Sequence, residues 1–354
     1  MFVLDSHCDT PSQILRGRKL SNDNELAHID IPKLKRGGVD AAFFALYIPA
    51  YLEEDAAYEY AIRLYDAVKE TVEANSDTVA FAVSKSQAYE NKKKGLVSIF
   101  LGLENGSPIG HSIERLREFH DMGVRYVTLC HSKDNQICDS CAGNNTWGGL
   151  SPFGRELVAE MNRLGMLVDV SHISDKAFYD VLECSTRPVV ATHSCCRALS
   201  DHPRNMTDDM IRNLAAKEGV IQINFYPIFL DIRFRDILSA SGIIERGEAI
   251  EAEFIADPFN DSKRQAWNNV IRELQSLPRP SYTLIADHID HVVRLVGIDH
   301  VGLGSDFDGI DVTPSGMDDV SCLSLIFDEL RTRGYSQQDL EKIASENFFN
   351  AFSC

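Results

Sequence analysis

Eight short, mostly apolar runs separated by amphipathic stretches limit what this chain can fold into. They are FVLDSH (2–7), VDAAFFALY (39–47), LVSIFLGLEN (96–105), VRYVTLCH (124–131), MLVDVSH (166–172), PVVATH (188–193), VIQINF (220–225) and HVGLGSD (300–306). Several are near-continuously apolar, as expected of parallel strands covered on both faces. Helix-like stretches at 53–74, 111–121, 151–164, 174–184 and 207–218 lie between them. This repetition predicts a parallel sheet with crossover helices. TVAFAV (78–83) is a further short run that blurs the strand count.

Polar residues close run after run: His7 and Asp9, Glu104, His131, His172, His193 and Asp306. An open doubly wound sheet would feed a ligand crevice from a few strands at one switch point. A barrel collects side chains from the C-terminal ends of many strands. The distribution therefore predicts a (β/α)8 TIM barrel with its site at one mouth. The 354 residues suit one such barrel with insertions, a single domain over 1–354. Residues 227–280, polar and charge-rich, read as an inserted helical segment in the last crossover, before a helix at 281–296. Its position makes it either a lid or interface element or plain surface decoration. Helical stretches at 318–334 and 336–350 close the chain.

The strand-end residues have a common chemistry. In an extended chain His7 and Asp9 project to the same side, with Cys8 turned away. His7, Asp9, His172 and His193 are nitrogen and oxygen donors suited to zinc, and Glu104 can bridge two ions with its two oxygens. Five donors exceed what one catalytic zinc needs and suit a pair of ions that share a carboxylate and an acidified water. Asp306, in GLGSDFDG, is placed to move a proton from that water to a leaving group, with Asp308 the competing choice on spacing. Gly304 and Gly309 are expected to permit a tight turn there. Arg204, in DHPRNMTDD, either holds a substrate carboxylate or is a solvated surface residue, and Thr207 reads as a helix N-cap. His131 either stabilises an oxyanion or is simply a polar strand end.

Composition excludes some roles. The formal net charge of -18 opposes binding to phosphate backbones, so no nucleic-acid partner is expected. No run has the length of a membrane span, and the first residues lack the character of a signal peptide, so a cytoplasmic protein with no membrane association is expected. Nine scattered cysteines in a chain this long do not make a disulfide framework. Cys138 and Cys141 form a C-x-x-C without a second pair, and Cys195-Cys196 follows His193; neither pair is assigned to the site.

DSHCDT, GLENG, VRYVTLCHS, GLSPFGRELVAEMNRLGMLVDVSHIS, ATHS, PRNMTDD, HIDHVVRLVGIDHVGLGSDFDG and ENFFNAF together resemble the membrane (renal) dipeptidase family of amidohydrolase-like metal-dependent hydrolases. The likeness is collinear from Asp5 nearly to the C-terminus. It implies a (β/α)8 barrel with two zinc ions per chain. His7 and Asp9 would bind one ion, His172 and His193 the other, and Glu104 would bridge both. It also implies that His131 contacts substrate, Arg204 holds the substrate carboxylate, and Asp306 rather than Asp308 is the proton shuttle. The implied activity is hydrolysis of dipeptides with a free C-terminal carboxylate, tolerating a D-residue at that end, by a homodimer. Alternatives on the same barrel are an amidohydrolase of N-acyl amino acids or similar small amides, and an idle binding protein. The length of 227–280 and the cysteines at 195 and 196 depart from the family pattern and bear on substrate preference.

Overall fold

The computed structural model describes residues 1–353. Its strands are β1 (Leu4–Cys8), β2 (Ala41–Tyr47), β3 (Val79–Phe81), β4 (Val97–Glu104), β5 (Val124–Thr128), β6 (Leu167–Asp169), β7 (Val189–Ser194), β8 (Val220–Ile223) and β9 (Val301–Leu303). All pairings between them are parallel, in the order β1-β2-β4-β5-β6-β7-β8-β9. The ring returns to its start through a parallel bridge between Cys8 and Phe307. There the Asp9 N–H donates to Phe307 O at 2.9 Å and the Asp306 N–H to His7 O at 3.0 Å. Buried Asp5 strengthens the seam by accepting the Ser305 N–H at 2.9 Å. The architecture is a (β/α)8 TIM barrel. The extra run is β3, which pairs with β4 at residues 97–99, while β5 joins β4 only from Leu101 onward. It therefore lies off the ring.

Four predicted strands end early. β5 stops at Thr128, β6 at Asp169, β8 at Ile223 and β9 at Leu303, so His131, His172 and Asp306 sit on loops past the strand ends. His172 has φ +70, which no strand accommodates, and Leu129 O accepts from the Gly106 N–H and the Asn135 side chain in place of ladder bonds.

The helices up to the last crossover are α1 (Thr10–Leu15), α2 (Ile31–Arg36), α3 (Glu54–Ala74), α4 (Lys85–Lys93), α5 (Ile113–Asp121), α6 (Pro152–Leu164), α7 (Asp175–Cys184) and α8 (Asp208–Ala216). Thr207 caps α8 as expected, its hydroxyl accepting the Met210 N–H. The insertion is helical: α9 (Pro227–Leu230), α10 (Arg233–Ser241), α11 (Ile243–Ala256) and α12 (Asp261–Gln275), followed by α13 (Thr283–Val296). Phe234, Leu238, Ile243, Val270 and Leu274 give it a small core of its own. The chain closes with α14 (Ser324–Thr332), α15 (Gln337–Glu341) and α16 (Asn347–Ser353). Among the described residues no helix is long and apolar enough to cross a membrane.

Alternation along the strands separates two cores. Ala41, Phe43, Phe100 and Tyr126 face the barrel interior with Phe348 and Phe349 of α16, whereas Ala42 and Phe44 face the helical layer. The Phe43 ring stacks on Phe100 at 4.7 Å and on Tyr126 at 5.3 Å. Inward positions on β4 then run Phe100, Gly102, Glu104, and Gly102 stands opposite Tyr126. A Cβ at Gly102 would overlap the Tyr126 ring, which is fully buried and has nowhere to go. Gly102→Ala is expected to destabilise the protein by about 1–3 kcal/mol as an overpacked interior site. Its denaturant midpoint should fall accordingly, and an unchanged midpoint would show that Tyr126 can relocate.

Candidate metal centre

The barrel's interior stack ends upward in Tyr126, whose Oη lies 2.8 Å from Nδ1 of His7. Above that pair the strand-end residues converge. Glu104 divides its carboxylate between two groups. Oε2 is 3.4 Å from His7 Nε2, while Oε1 is 3.2 Å from His172 Nε2 and 3.4 Å from His193 Nε2. Asp9 Oδ2 is 3.7 Å from His7 Nε2. The His172 and His193 Nε2 atoms are 2.9 Å apart, and the His131 Nε2 is 3.9 Å from Glu104 Oε1. Ligand atoms fall within 4.8 Å of one another in three overlapping sets: His7, Glu104 and His193; Glu104, His131 and His172; and His7, Asp9 and Asp306. All five predicted ligands are therefore brought together, and His131 and Asp306 lie close enough to join the cluster.

The donor set fits a cation. His7 Nε2, Asp9 Oδ1 and Glu104 Oε2 are buried without a hydrogen-bond partner. Such groups are costly to bury unless something charged satisfies them. Burial, then the charge of Glu104, pushes the Asp9 carboxyl up to about 7. Burial works to lower His7, yet Glu104 and Asp9 hold it well above its usual range.

Tautomers point the same way. Thr192 has one hydroxyl proton, and Asp169 Oδ2 takes it at 2.7 Å. Thr192 Oγ1 must then accept from His193 Nδ1 at 2.8 Å, which leaves the Nε2 lone pair facing the centre. Thr128 donates to the same Asp169 oxygen at 2.5 Å.

Asp306 is reached from the seam between β1 and β9. Its φ is +62 and that of Asp308 is +67, so the turn in GSDFDG relies on the two aspartates themselves. Gly304 and Gly309 have ordinary φ and serve close approach instead. A Cβ at Gly309 would meet Asp9 and Asp306, and one at Gly304 would meet Thr192 O. Asp306 Oδ2 accepts from Asn224 Nδ2 at 2.8 Å. Burial, then the charge of Asp9, pushes the Asp306 carboxyl up to about 7. Asp308 is committed elsewhere: it accepts from Thr10 at 2.8 Å, Arg18 at 2.6 Å and the His28 N–H at 3.2 Å.

Arg204 is buried, not solvated. It donates to Ser194 Oγ at 2.9 Å and His193 O at 2.8 Å, lies 5.6 Å from the Phe229 ring, and keeps an unsatisfied Nε. Its charge reaches the centre, where burial and then Arg204 lower His131 to about 3. The cysteines at 195 and 196 are buried thiols that donate to Asn224 O and His288 O, and burial raises both. The cysteines at 138 and 141 are free and lie between β5 and α6.

The supporting residues Tyr126, Asp169, Thr192 and Asn224 were not singled out from the sequence. Their one signal was a polar group within or directly after an otherwise apolar run, and that signal says nothing about which neighbour it serves.

The mouth opens into a cavity of about 370 Å³ whose walls include Tyr47, Glu104, His131, His172, Asp306 and Trp267. "Dipeptidase verJ" of Clonostachys rogersoniana is 32% identical over 333 residues, spanning 91% of this chain and 74% of that protein. A crystal structure of the probable dipeptidase PvdM from Pseudomonas aeruginosa superposes with a TM-score of 0.84 at 27% identity, covering 99% of this chain and 94% of that one. The structure of a metallopeptidase named dipeptidase AC has a TM-score of 0.81 at 25% identity, covering 100% and 98%. The family model for membrane dipeptidases, peptidase family M19, matches residues 1–353. This chain belongs to that family and is a metal-dependent hydrolase of peptide bonds.

Proposed function

We propose that the protein is a dinuclear zinc dipeptidase acting on dipeptides with a free C-terminal carboxylate. The observation that carries the dinuclear reading is the division of Glu104, one oxygen facing His7 and the other facing His172 and His193. His7 and Asp9 would hold one ion, His172 and His193 the second, and Glu104 would serve both. Two such ions, when bound, acidify a water and polarise a carbonyl.

The chain's own residues do the rest. Asp306 takes a proton from the attacking water and delivers it to the departing amine nitrogen. Its raised carboxyl suits a group that must both accept and donate near neutral pH. His131, kept neutral, donates one N–H to the oxygen that becomes negative in the tetrahedral intermediate. Arg204 holds the C-terminal carboxylate through the N–H groups that Ser194 and His193 leave free. Arg204→Ala is expected to raise KM by about ten- to a hundredfold, as loss of a hydrogen bond to a charged group, with kcat nearly unchanged. An unchanged KM would place the carboxylate elsewhere.

The deciding experiment is a screen of the zinc-loaded protein against a dipeptide library that includes L,D pairs, with N-acyl amino acids in parallel. Hydrolysis of dipeptides, including those with a C-terminal D-residue, is expected. Turnover confined to N-acyl amino acids would replace this reading with an amidohydrolase of another small amide.

A further inference from the structure

The insertion walls the active site. α9 contributes Phe229, α11 contributes Glu251 and α12 contributes Trp267 to the cavity above the metal centre. Opposite them lie Gln13 and Arg16 at the end of α1 and Ile310 and Asp311 after β9. The space does not end there. Gln13, Arg16, Trp267, Asp308, Ile310 and Asp311 also line a second cavity of about 680 Å³. The two cavities therefore share a boundary, the passage, formed by α1, α12 and the segment after β9. The insertion's own core makes this a built wall, not a loose flap.

The charges on that passage are uncommitted. Asp308 is paired with Arg18, but the side chains of Arg16, Glu251 and Asp311 make no hydrogen bond or ion pair among the described residues. On the catalytic side Glu251 and Asp311 set two carboxylates against the one guanidinium of Arg16, whereas the larger cavity is also lined by Arg18, Lys19, Arg264 and Arg272. Burial, and then the charge of Glu251, push the Asp311 carboxyl up to about 7 against the pull of Arg16, so Asp311 gains its full charge only when a further cation stands beside it. Trp267 and Ile310 add apolar surface beside these groups. Arg204 lines neither cavity, so a carboxylate held by it would lie away from Glu251 and Asp311, and the peptide's other residue is the one left to reach them.

Building on the dipeptidase reading above, we infer that this passage is the subsite for the N-terminal residue's side chain and selects a long side chain ending in a cation. The apolar stem would lie along Trp267 and Ile310, and the cation would sit between Glu251 and Asp311.

The test compares Lys-Ala with norleucyl-Ala, which has the same stem without the charge, and Ala-Lys with Ala-norleucine. Both pairs are assayed for kcat/KM on the zinc-loaded protein and for equilibrium binding on its zinc-loaded Asp306→Asn form. Lys-Ala is expected to be favoured about tenfold or more in both assays, with the ratio falling toward one in a Glu251→Gln, Asp311→Asn double variant. Hydrolysis of both peptides at equal efficiency, or a preference seen only for Ala-Lys, overturns the subsite and leaves the dipeptidase reading intact. The expected binding preference without hydrolysis of any dipeptide overturns the dipeptidase reading and leaves the subsite. Neither hydrolysis nor a binding preference overturns both. The unmodified protein alone can defeat the inference, so it does not depend on the double variant folding.

Discussion

Asp306→Asn is expected to lower kcat by about 10²–10⁴-fold, the range for loss of a positioned general acid–base, while KM and bound metal stay near their normal values. Asn is the right replacement because the backbone here has φ +62, a conformation that Asn tolerates at least as well as Asp. The side chain keeps its shape, and its amide oxygen can still accept from Asn224 Nδ2. Only the ability to take and return a proton is removed. Metal analysis alongside the kinetics separates two roles, because Asp306 also lies within reach of His7 and Asp9. Loss of activity together with one ion per chain would make Asp306 a ligand. Near-normal kcat would remove it from the chemistry. Asp308→Asn is the informative control. That carboxylate ties Thr10, Arg18 and the His28 backbone together, so its loss should weaken the fold of the rim and spare proton transfer.

The ring of strands was legible because parallel strands buried on both faces must be apolar almost throughout, and seven crossovers repeat that demand. The candidate ligands stood out because His, Asp and Glu at the ends of such runs have no structural reason to recur. What stayed hidden depends on contacts between distant segments. Nothing in VSIFLGLE marks Gly102 as the position that makes room for the Tyr126 ring. Nothing in PVVATH shows that Thr192 gives its proton to Asp169 and so fixes His193. Gly304 and Gly309 illustrate a different failure. Glycine next to aspartate suggests a turn, yet the positive φ values belong to Asp306 and Asp308, and the glycines yield space to Thr192 and Asp9. Arg204 was ambiguous because sequence does not report burial. The insertion was recognisably helical, but its contribution of Phe229, Glu251 and Trp267 to the cavity wall is a matter of packing direction.

Removing the metal should cost stability as well as activity. An ion that binds only the folded chain stabilises it by about 4 kcal/mol when free metal stands at about a thousand times Kd. The centre gives a reason to expect an effect of that order. His7 Nε2, Asp9 Oδ1 and Glu104 Oε2 are buried and unpartnered, and they come from β1, the start of α1 and the end of β4. His172 and His193 bring in the loop after β6 and strand β7, so a bound pair of ions would crosslink the strand ends around much of the mouth. Chelation is therefore expected to lower the thermal midpoint by several degrees, on the order of 5–10 °C, and zinc titrated back should restore it. The restoration should saturate at two ions per chain. Glu104→Gln should largely abolish the zinc-dependent rise, because an amide cannot offer an anionic oxygen to each side of the centre. Saturation at a single ion would leave Glu104 with no bridging role, and a midpoint indifferent to both chelation and zinc would mean that these five residues do not form a metal centre.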